Sequence, residues 1–518
     1  MVKEGFFMNK NIEKLMNENP DLAAFILSQN QEINNLKKET EALQFTLSKL
    51  NRNIFGKKSE RSSKEEERNL FNLNEAEDNQ NLNLEEPSIE KVIRQKKKTS
   101  RKDNMQYLEE KEIIYDLEHK CCEKCDTPLV SVGSKTRETI EVIKKVIKNL
   151  EKSLTYKCPS CDTFYSGEMP KLPIEKSIAT PSLLSQVIVD KMANGIPLYR
   201  QSEDYKRIGA NLSRQVLSNW MIKSSYLLEI IYHKMKDDLV NSDIVHADET
   251  VLQVLKESGK PASSKSYMWL FESSVHDRDI VLYHYVSSRS GTVPKEFLKD
   301  FRGYLHVDGY QGYNQVNNVK LVNCFAHLRR KFYDIVSSLS DDQKKSSHSV
   351  LALNKISDIY TLDNQCKELP LDKRLAFKQE IIKPLFNDFK EWLNEESLTA
   401  QGNYGSAIGY ALKHIDSVMV YLEDPRLEID NNRAERAIKP FVIGRKNWLF
   451  SNTPNGAYSS SVLYSIVQTA ILNNINPYKY IAHVLHILAN SKINQLNLNE
   501  LTPYNEVIKN QFDMNNPQ

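Results

Sequence analysis

Apolar residues recur at alternating intervals of three and four positions between residues 21 and 55, which predicts one long helix that begins just after Pro20. The repeat consists of Leu22, Ile26, Ile33, Leu36, Leu43, Leu47, Leu50 and Ile54, with Gln29 and Thr40 at the two remaining seam positions. Since the e, g and surface positions are strongly polar, we expect residues 1–55 to form a coiled coil and to self-associate. A helix packed on its own domain is the alternative.

The pattern changes twice before residue 170. Residues 56–105 are polar, charged and almost free of aromatic residues, which indicates a flexible linker. Its basic run at 94–102 is either a solvated tail or a non-specific DNA contact. Residues 106–168 alternate in the manner of β-strands around two Cys-x-x-Cys pairs, and we expect them to form a separate domain.

A helical pattern occupies residues 169–240. Thr180 is the predicted N-cap of its first helix and Pro181 the first helical residue, where a missing N–H does no harm. Residues 197–223 then have the outline of a helix-turn-helix, with Ser213 capping the second helix. Because many helical hairpins share this outline, DNA contact by this domain remains one of two possibilities.

Short β-rich segments fill residues 241–336 in the order strand, strand, strand, helix, strand, strand. This order predicts a mixed α/β sheet. Residues 337–427 are helical and polar and look like an insertion into that unit. Residues 428–490 are helical again, and residues 491–518 form a short polar tail. The predicted fold class is therefore multidomain α/β.

The composition excludes several classes of protein. The chain has 518 residues, 40% of them hydrophobic, and a net charge of +2, so it is not a histone-like basic protein. Any nucleic-acid surface must come from local clustering of Lys and Arg. No apolar stretch reaches the roughly 18 residues of a membrane helix, and the N-terminus lacks signal-peptide features. We therefore expect a cytoplasmic protein without a membrane partner.

Two Cys-x-x-Cys pairs give the clearest metal-binding pattern: Cys122 with Cys125, and Cys158 with Cys161. In a reducing compartment this spacing favours a metal over disulfides, and four thiolates can hold one tetrahedral Zn²⁺. The spacer between the pairs is longer than the common one of about 15–20 residues, which a β-hairpin zinc ribbon accommodates. Such a site has no open position and is structural. Cys121 leaves the register of the first pair ambiguous, and four unrelated free thiols are the alternative.

Three acidic residues form the candidate catalytic set. Asp248 in VHADET and Asp308 in LHVDGY end β-type segments, and Glu435 lies on the first turns of a predicted helix. A single acidic residue at a strand end is usually a turn or cap residue. Adjacent strands would nevertheless bring both Asp side chains to one edge, and a helix across the sheet could deliver the third. Converging carboxylates repel one another unless cations neutralise them, and oxygen ligands suit Mg²⁺ or Mn²⁺.

An ordered set of segments makes the pattern specific. The segments are KLPIEKSIATPSLLSQVIVDKMANGIPLYRQ, DIVHADET, VDGYQGYN, CFAHLRRKFYD, DNNRAERAIKPFVIGRKNWLF and LTPYN. Together they resemble the transposases of the insertion sequence 66 family, in that family's order and over nearly the whole chain. The resemblance implies a DDE transposase with an RNase H-like mixed sheet as catalytic core, which a helical insertion interrupts. It also implies that a coiled-coil helix, a zinc ribbon and a helix-turn-helix-like domain precede this core.

The resemblance further implies a mechanism and partners. Asp248, Asp308 and Glu435 would be the catalytic triad and would bind two Mg²⁺ or Mn²⁺ ions. Water would cut the transposon end, and the freed 3′-OH would attack target DNA without a covalent protein intermediate. The implied partners are double-stranded DNA (terminal inverted repeats and target), a second copy in a homodimer or larger synaptic complex, and small accessory proteins of the same element. A bacterial, nucleoid-associated location follows.

The helix that carries Glu435 is expected to be capped by Asp430 and to end at Pro440. Asp430 is also the alternative third ligand, and Glu428 is a weaker one. A solvated helix start without a site is the structural alternative.

Candidate DNA contacts fall in three segments of the chain. Asn431 and Asn432 lie one turn before Glu435 and can hydrogen-bond its carboxylate or DNA, while neighbouring basic residues can meet phosphates. The basic residues after His327 can equally be the exposed start of a helix. The full set is Arg214, Gln215, Arg329, Arg330, Lys331, Asn431, Asn432, Arg433, Arg436, Lys439, Arg445 and Lys446.

Cys324 and His327 have Cys-x-x-His spacing, but no second pair is evident, so the sequence predicts no zinc site here. Cys324 is expected in the core. His327 either supports the metal ligands, contacts DNA near the scissile phosphate, or is a buried histidine with satisfied hydrogen bonds.

Two other functions fit the same sequence. An RNase H-like nuclease would cut DNA without joining it. A non-catalytic DNA-binding protein derived from a transposase is the second alternative, and the presence of all three acidic residues argues against it.

Overall fold

The computed structural model describes residues 112–117, 120, 121, 124, 127, 128, 139, 140 and 145–514. The predicted coiled coil, the linker at 56–105, Cys122 and Cys125 lie outside the described residues. The described chain forms two compact units. One comprises Tyr232–Ser465, and the other comprises the residues up to Ile231 together with those from Ile466 onward.

Helices predominate in both units. In chain order the elements are β1 (Thr155–Lys157), β2 (Phe164–Ser166), α1 (Pro181–Met192), α2 (Leu198–Arg207), α3 (Arg214–Leu239), β3 (Ile244–Gln253), β4 (Lys265–Ser273), β5 (Val281–Val286), α4 (Thr292–Phe297), β6 (Gly303–Val307), β7 (Val319–Asn323), α5 (Phe325–Ser338), α6 (Asp341–Lys345), α7 (His348–Glu368), α8 (Leu371–Phe377), α9 (Lys383–Ser397), α10 (Gly402–Met419), α11 (Asn432–Trp448), α12 (Pro454–Leu472), α13 (Pro477–Asn490) and α14 (Glu506–Phe512). Among the described residues, no helix is both long and apolar enough to span a membrane.

The two predicted helix caps in the smaller unit are confirmed. The side chain of Thr180 accepts a hydrogen bond from the Leu183 N–H at 3.3 Å, and Pro181 is the first residue of α1. The Ser213 hydroxyl accepts from the Val216 N–H at 3.3 Å at the start of α3. Gly209 lies in the turn between α2 and α3 with a positive φ of +91°, which glycine adopts without strain. The predicted helix–turn–helix outline is therefore present.

The larger unit contains a five-stranded mixed sheet, as the order of β-rich segments predicts. The strand order is β5-β4-β3-β6-β7. Strand β4 runs antiparallel to both β5 and β3, whereas β6 lies parallel to β3 and β7 lies parallel to β6. The central strand β3 is buried at every position from Ile244 to Thr250, because helices and loops cover both faces of the sheet there.

Helices between β7 and α11 build an apolar core beside the sheet. Apolar side chains from α5, α7, α9 and α10 pack together with Ile244 of β3 and Val322 of β7. Phe325, Phe332 and Phe386 are fully buried in this cluster. In the polar segment predicted as an insertion, α7, α9 and α10 each bury one face, whereas α6 and α8 have no buried residues.

Pro440 does not end the helix as predicted, because α11 continues to Trp448. A proline inside a helix removes one backbone hydrogen bond and costs about 3 kcal/mol. Ile438, Phe441 and Val442 beside it are at most 1% exposed, and burying each such side chain stabilises by roughly 1.5–3 kcal/mol. Tertiary packing therefore outweighs the local penalty.

Candidate active site

The register between β3 and β6 brings the two predicted aspartates together. His246 lies opposite His306 in this parallel pair. Continuing the register by two residues sets Asp248 opposite Asp308, with both side chains on the face that carries the two histidines. The imidazole rings stack below them with centroids 4.4 Å apart. Asp248 is buried within β3, and Asp308 directly follows Val307, the last residue of β6.

A tight turn after β6 holds Asp308 in place. Its carboxylate accepts a hydrogen bond from the Tyr310 N–H at 2.8 Å. Gly309 between them has φ +97°, and a β-carbon there would lie 3.0 Å from the Tyr410 hydroxyl. Glycine is therefore required at this position both by backbone conformation and by the close approach of α10.

Asn431 ties the start of α11 to β3. Its amide group donates to the Ala247 carbonyl at 2.9 Å, and its side-chain oxygen lies 3.0 Å from His246 Nδ1. Burial lowers the pKa of His246 to about 3, so this ring is neutral and donates from Nδ1. Asn431 is fully buried and both ends of its amide are engaged, so the predicted contact of this residue with DNA or with Glu435 is not retained.

Asp430 caps a different helix from the one predicted. Its carboxylate accepts from the Ala326 N–H at the start of α5 and from the Tyr360 hydroxyl, both at 2.8 Å. The N-cap of α11 is Asn431, whose side chain makes no capping hydrogen bond. Because Asp430 serves as a structural acceptor between helices, its role as third ligand is disfavoured relative to Glu435.

The loop before α11 is fixed by a buried cation. Lys378 lies on a short π-helical segment between α8 and α9 and is 2% exposed. Its ammonium group donates to the backbone carbonyls of Tyr421, Asp424 and Leu427 at 3.1, 2.9 and 2.8 Å. Burial lowers the pKa of Lys378 to about 8. This group sets the path by which the chain reaches Asp430 and α11.

Glu435 projects from the first turn of α11 into a buried position. It is 6% exposed, and its Oε1 has no hydrogen-bond partner among the described residues. Burial raises the pKa of Glu435 to about 7, against the opposing effect of Arg330 and Lys439. A buried, ionised carboxylate lowers the stability of the folded protein unless a cation lies beside it.

Asp248, Asp308 and Glu435 lie close enough to repel one another. The pKa of Asp248 is raised well above its usual value by burial first, and then by Glu249, Asp308 and Glu435. Asp308 likewise raises the pKa of Glu435. The cluster therefore resists carrying several negative charges by itself, and its oxygen donors fit hard divalent cations such as Mg²⁺ or Mn²⁺.

Glu249 is a buried acid beside the cluster that sequence analysis missed. It follows Asp248 in β3 and therefore faces the opposite side of the sheet. Arg289 pairs with it at 2.7 Å, and the Tyr313 hydroxyl donates to it at 2.6 Å. The pKa of Glu249 is nevertheless raised, chiefly by burial and then by Asp308. Its position directly after Asp248 in ADET was the one sequence signal of this role, since Arg289 and Tyr313 are distant in sequence.

Two of the predicted DNA contacts serve the interior of the protein instead. Arg433 is 7% exposed and pairs with Glu272 at 3.0 Å and with Asp279 at 2.8 Å. Arg445 donates to the Val251 carbonyl and to the Thr250 hydroxyl of β3. Both guanidinium groups fasten α11 to the sheet, so neither is retained as a phosphate contact.

The remaining candidate contacts are at or near the surface. Arg436, Lys446 and Lys331 are exposed, while Asn432, Lys439, Arg329 and Arg330 are half-buried. Lys331 lies 5.0 Å from the ring centroid of Tyr410, and Arg330 and Lys439 act electrostatically on Glu435. In the other unit, Arg214 and Gln215 are exposed on the first turn of α3.

One half of the predicted zinc ribbon lies within the described residues. Cys158 and Cys161 occupy the turn between the antiparallel strands β1 and β2. The Cys158 N–H donates to the Thr163 carbonyl at 2.8 Å, and the Cys161 sulfur lies 3.1 Å from the Thr163 hydroxyl. That hydroxyl lowers the pKa of Cys161 most, followed by a backbone hydrogen bond and by Cys158. A turn of this kind presents two sulfurs to one side, as a metal-binding hairpin does.

The chain is similar to known proteins over most of its length. The sequence model of the family described as "Transposase IS66 family" matches residues 176–459, which is more than half of the chain. Uncharacterized protein y4hP of Sinorhizobium fredii is 26% identical over 497 residues, covering 89% of this chain and 88% of the relative. Uncharacterized protein y4qI of the same organism is 29% identical over 337 residues, covering 61% of each chain. The chain belongs to the IS66 transposase family.

Proposed function

We propose that this chain is a DDE transposase that cuts transposon ends and joins them to target DNA. Its sheet of three antiparallel strands extended by two parallel ones fits an RNase H-like core. Asp248 on the central strand, Asp308 after the neighbouring strand and Glu435 on the helix packed against the sheet are its proposed catalytic acids.

The convergence of these three acids supports the proposal most strongly. Glu435 is buried, its Oε1 has no hydrogen-bond partner in the part of the chain that the structure describes, and its charge and that of Asp308 both act on Asp248. Two bound Mg²⁺ or Mn²⁺ ions would supply the positive charge that activates the attacking oxygen and stabilises the leaving oxygen. The chain itself orients the acids, through the Glu249 N–H on Asp248 and the Tyr310 N–H on Asp308, each at 2.8 Å.

Exposed basic residues around this cluster are proposed to hold the DNA backbone. Arg436 and Lys446 lie on the helix of Glu435, and Lys331 lies on α5. Cations so placed neutralise phosphates and release counterions, so we expect DNA affinity to fall with salt. Arg214 and Gln215 on α3 are proposed contacts of the other unit. Zinc at the four-cysteine ribbon, and dimerisation through residues 22–54, complete the proposed synaptic assembly.

A cleavage and strand-transfer assay tests this function. Purified full chain, Mg²⁺ or Mn²⁺ and a labelled duplex carrying the end of the flanking element would be incubated with a target duplex. Glu435→Gln removes one proposed ligand, and Glu391→Gln is the matched control because it makes the same change at an exposed position of α9. We expect joined products with wild type and Glu391→Gln, and none with Glu435→Gln.

Other outcomes would favour the alternatives. Cutting without joining would identify a nuclease. Equal activity of Glu435→Gln and wild type would exclude Glu435 as a ligand and direct the test to Asp430→Asn. Specific DNA binding without cleavage, with the element's accessory proteins added, would indicate a non-catalytic binding protein.

A further inference from the structure

A thiol, an imidazole and a carboxylate meet beside the proposed catalytic acids. Cys324 is the N-cap of α5 and His327 lies three residues later, so both side chains reach the same side of the helix start. Glu435 approaches them from α11. One ligand atom from each of the three residues lies within 4.8 Å of the other two, and His327 Nδ1 is 3.8 Å from Glu435 Oε1.

These separations are near those of a tetrahedral zinc site. Zinc bonds of about 2.0–2.3 Å place neighbouring ligand atoms roughly 3.3–3.6 Å apart. The nitrogen–oxygen distance of 3.8 Å therefore exceeds this spacing only slightly. The distances to the Cys324 sulfur are within 4.8 Å, which is up to about 1 Å above this spacing, so binding of an ion must draw the three side chains together.

The surroundings of the sulfur favour a bound cation. The Asn431 N–H donates to Cys324 Sγ at 3.2 Å, and hydrogen bonds of this kind support thiolate ligands. Asp430 Oδ1 lies 3.9 Å from the same sulfur, and Glu435 Oε1 is buried without a hydrogen-bond partner from any described residue. Burial raises the pKa of the Cys324 thiol well above its usual value, and a divalent ion beside the sulfur reverses that preference.

We propose that Cys324, His327 and Glu435 form a second metal site that binds one Zn²⁺ ion. Sulfur and nitrogen donors distinguish it from the oxygen-only set, which suits Mg²⁺. Three protein ligands leave the fourth position of the ion open to water. Binding transfers the thiol proton of Cys324 to solvent, together with the Glu435 proton where that carboxyl group is protonated.

Glu435 belongs both to this zinc site and to the proposed catalytic acids, so zinc binding would inhibit strand transfer. An ion held by Cys324 and His327 draws the Glu435 carboxylate away from Asp248 and Asp308, so Zn²⁺ competes with the Mg²⁺-loaded state. This consequence rests on the proposed function, whereas binding of Zn²⁺ does not.

Binding is tested on the full chain with Co²⁺ as the spectroscopic substitute for Zn²⁺. Cys324→Ser is compared with Cys366→Ser, which changes a second buried cysteine that is not one of the three proposed ligands and keeps every cysteine of the ribbon. We expect Cys324→Ser to hold one metal ion fewer per chain and to lose the corresponding sulfur-to-cobalt absorption. Its affinity at this site should fall roughly ten-fold or more.

Identical metal counts and Co²⁺ spectra in the two variants would overturn the proposal. Should Cys324→Ser lack the folded circular dichroism spectrum, His327→Gln replaces it, because this half-buried side chain is not part of the core. A metal count that is the same in His327→Gln and wild type would overturn the proposal equally.

Inhibition is measured separately, as the Zn²⁺ concentration that halves Mg²⁺-supported strand transfer. We expect this concentration to rise roughly ten-fold in Cys324→Ser relative to Cys366→Ser. Equal inhibition would refute the regulatory role. Absence of activity in every chain, wild type included, would refute the proposed function instead, and the Co²⁺ result would still decide the zinc site.

Discussion

Replacing Glu435 with Gln should stabilise the metal-free protein at neutral and alkaline pH. The carboxylate is 6% exposed, and its Oε1 has no hydrogen-bond partner among the described residues. Burial raises its pKa from 4.5 to about 7. The folded state therefore binds a proton that the unfolded state has released, and Glu435 lowers stability as pH rises from about 4.5 to about 7.

The size of this effect follows from the difference in pKa. Each unit corresponds to about 1.4 kcal/mol, so the raised pKa sets an upper bound of roughly 3 kcal/mol above pH 7. For a unit of about this size, each kcal/mol shifts the melting temperature by roughly 2–4 °C. Glu435→Gln removes the charge and keeps the shape. We therefore expect its melting temperature in EDTA to exceed that of wild type by several degrees at pH 8, and to approach it at pH 5.

Thermal unfolding of wild type, Glu435→Gln and the control Glu391→Gln at both pH values measures this difference. Added Mg²⁺ should then stabilise wild type more than Glu435→Gln, because a ligand that binds only the folded state raises its stability. A melting difference that is the same at pH 5 and pH 8 would show that Glu435 is not held as a destabilised acid. The reasoning about the cluster would then fail, whatever the DNA assays show.

Three further substitutions test the scaffold of the site. Asn431→Ala should lower the free energy of unfolding by about 2–4 kcal/mol, since it leaves two buried polar partners on β3 unpaired; denaturant titration measures it. Gly309→Ala should cost about 1–3 kcal/mol and reduce strand transfer, because φ is +97° and Tyr410 is close; equal stability of wild type and variant would contradict this. Arg433→Met should cost about 3–5 kcal/mol by leaving Glu272 buried without its partner, while DNA affinity measured on folded protein should hardly change.

The sheet and the pairing of the two aspartates were accessible from the sequence. Each acid follows a short apolar run, and the alternation of strand-like segments with one helix predicted that the runs would be neighbours. The helix caps at Thr180 and Ser213 were accessible for the same reason, because a cap depends on residues three positions away. A feature that depends only on residues a few positions apart, or on the regular spacing of apolar residues, can therefore be predicted from the sequence.

The cap and the end of α11 were not accessible in this way. Asp430 has the residue type and position of an N-cap, yet its carboxylate bonds the N–H of Ala326 and the hydroxyl of Tyr360. Pro440 has the residue type of a helix end, yet buried neighbours hold the helix together. Both depend on contacts with residues distant in sequence, which override local preference.

The roles of the basic residues after Asp430 also depend on contacts with residues distant in sequence. The sequence does not distinguish among Arg433, Arg436 and Arg445, since any arginine can bind a phosphate. In the fold, Arg433 neutralises buried Glu272, Arg445 bonds the end of β3, and Arg436 alone of the three is exposed. A buried acid on the sheet needs a cation nearby, so part of the basic content of α11 balances the acids of the sheet. Of the three, only the exposed Arg436 remains a proposed phosphate contact.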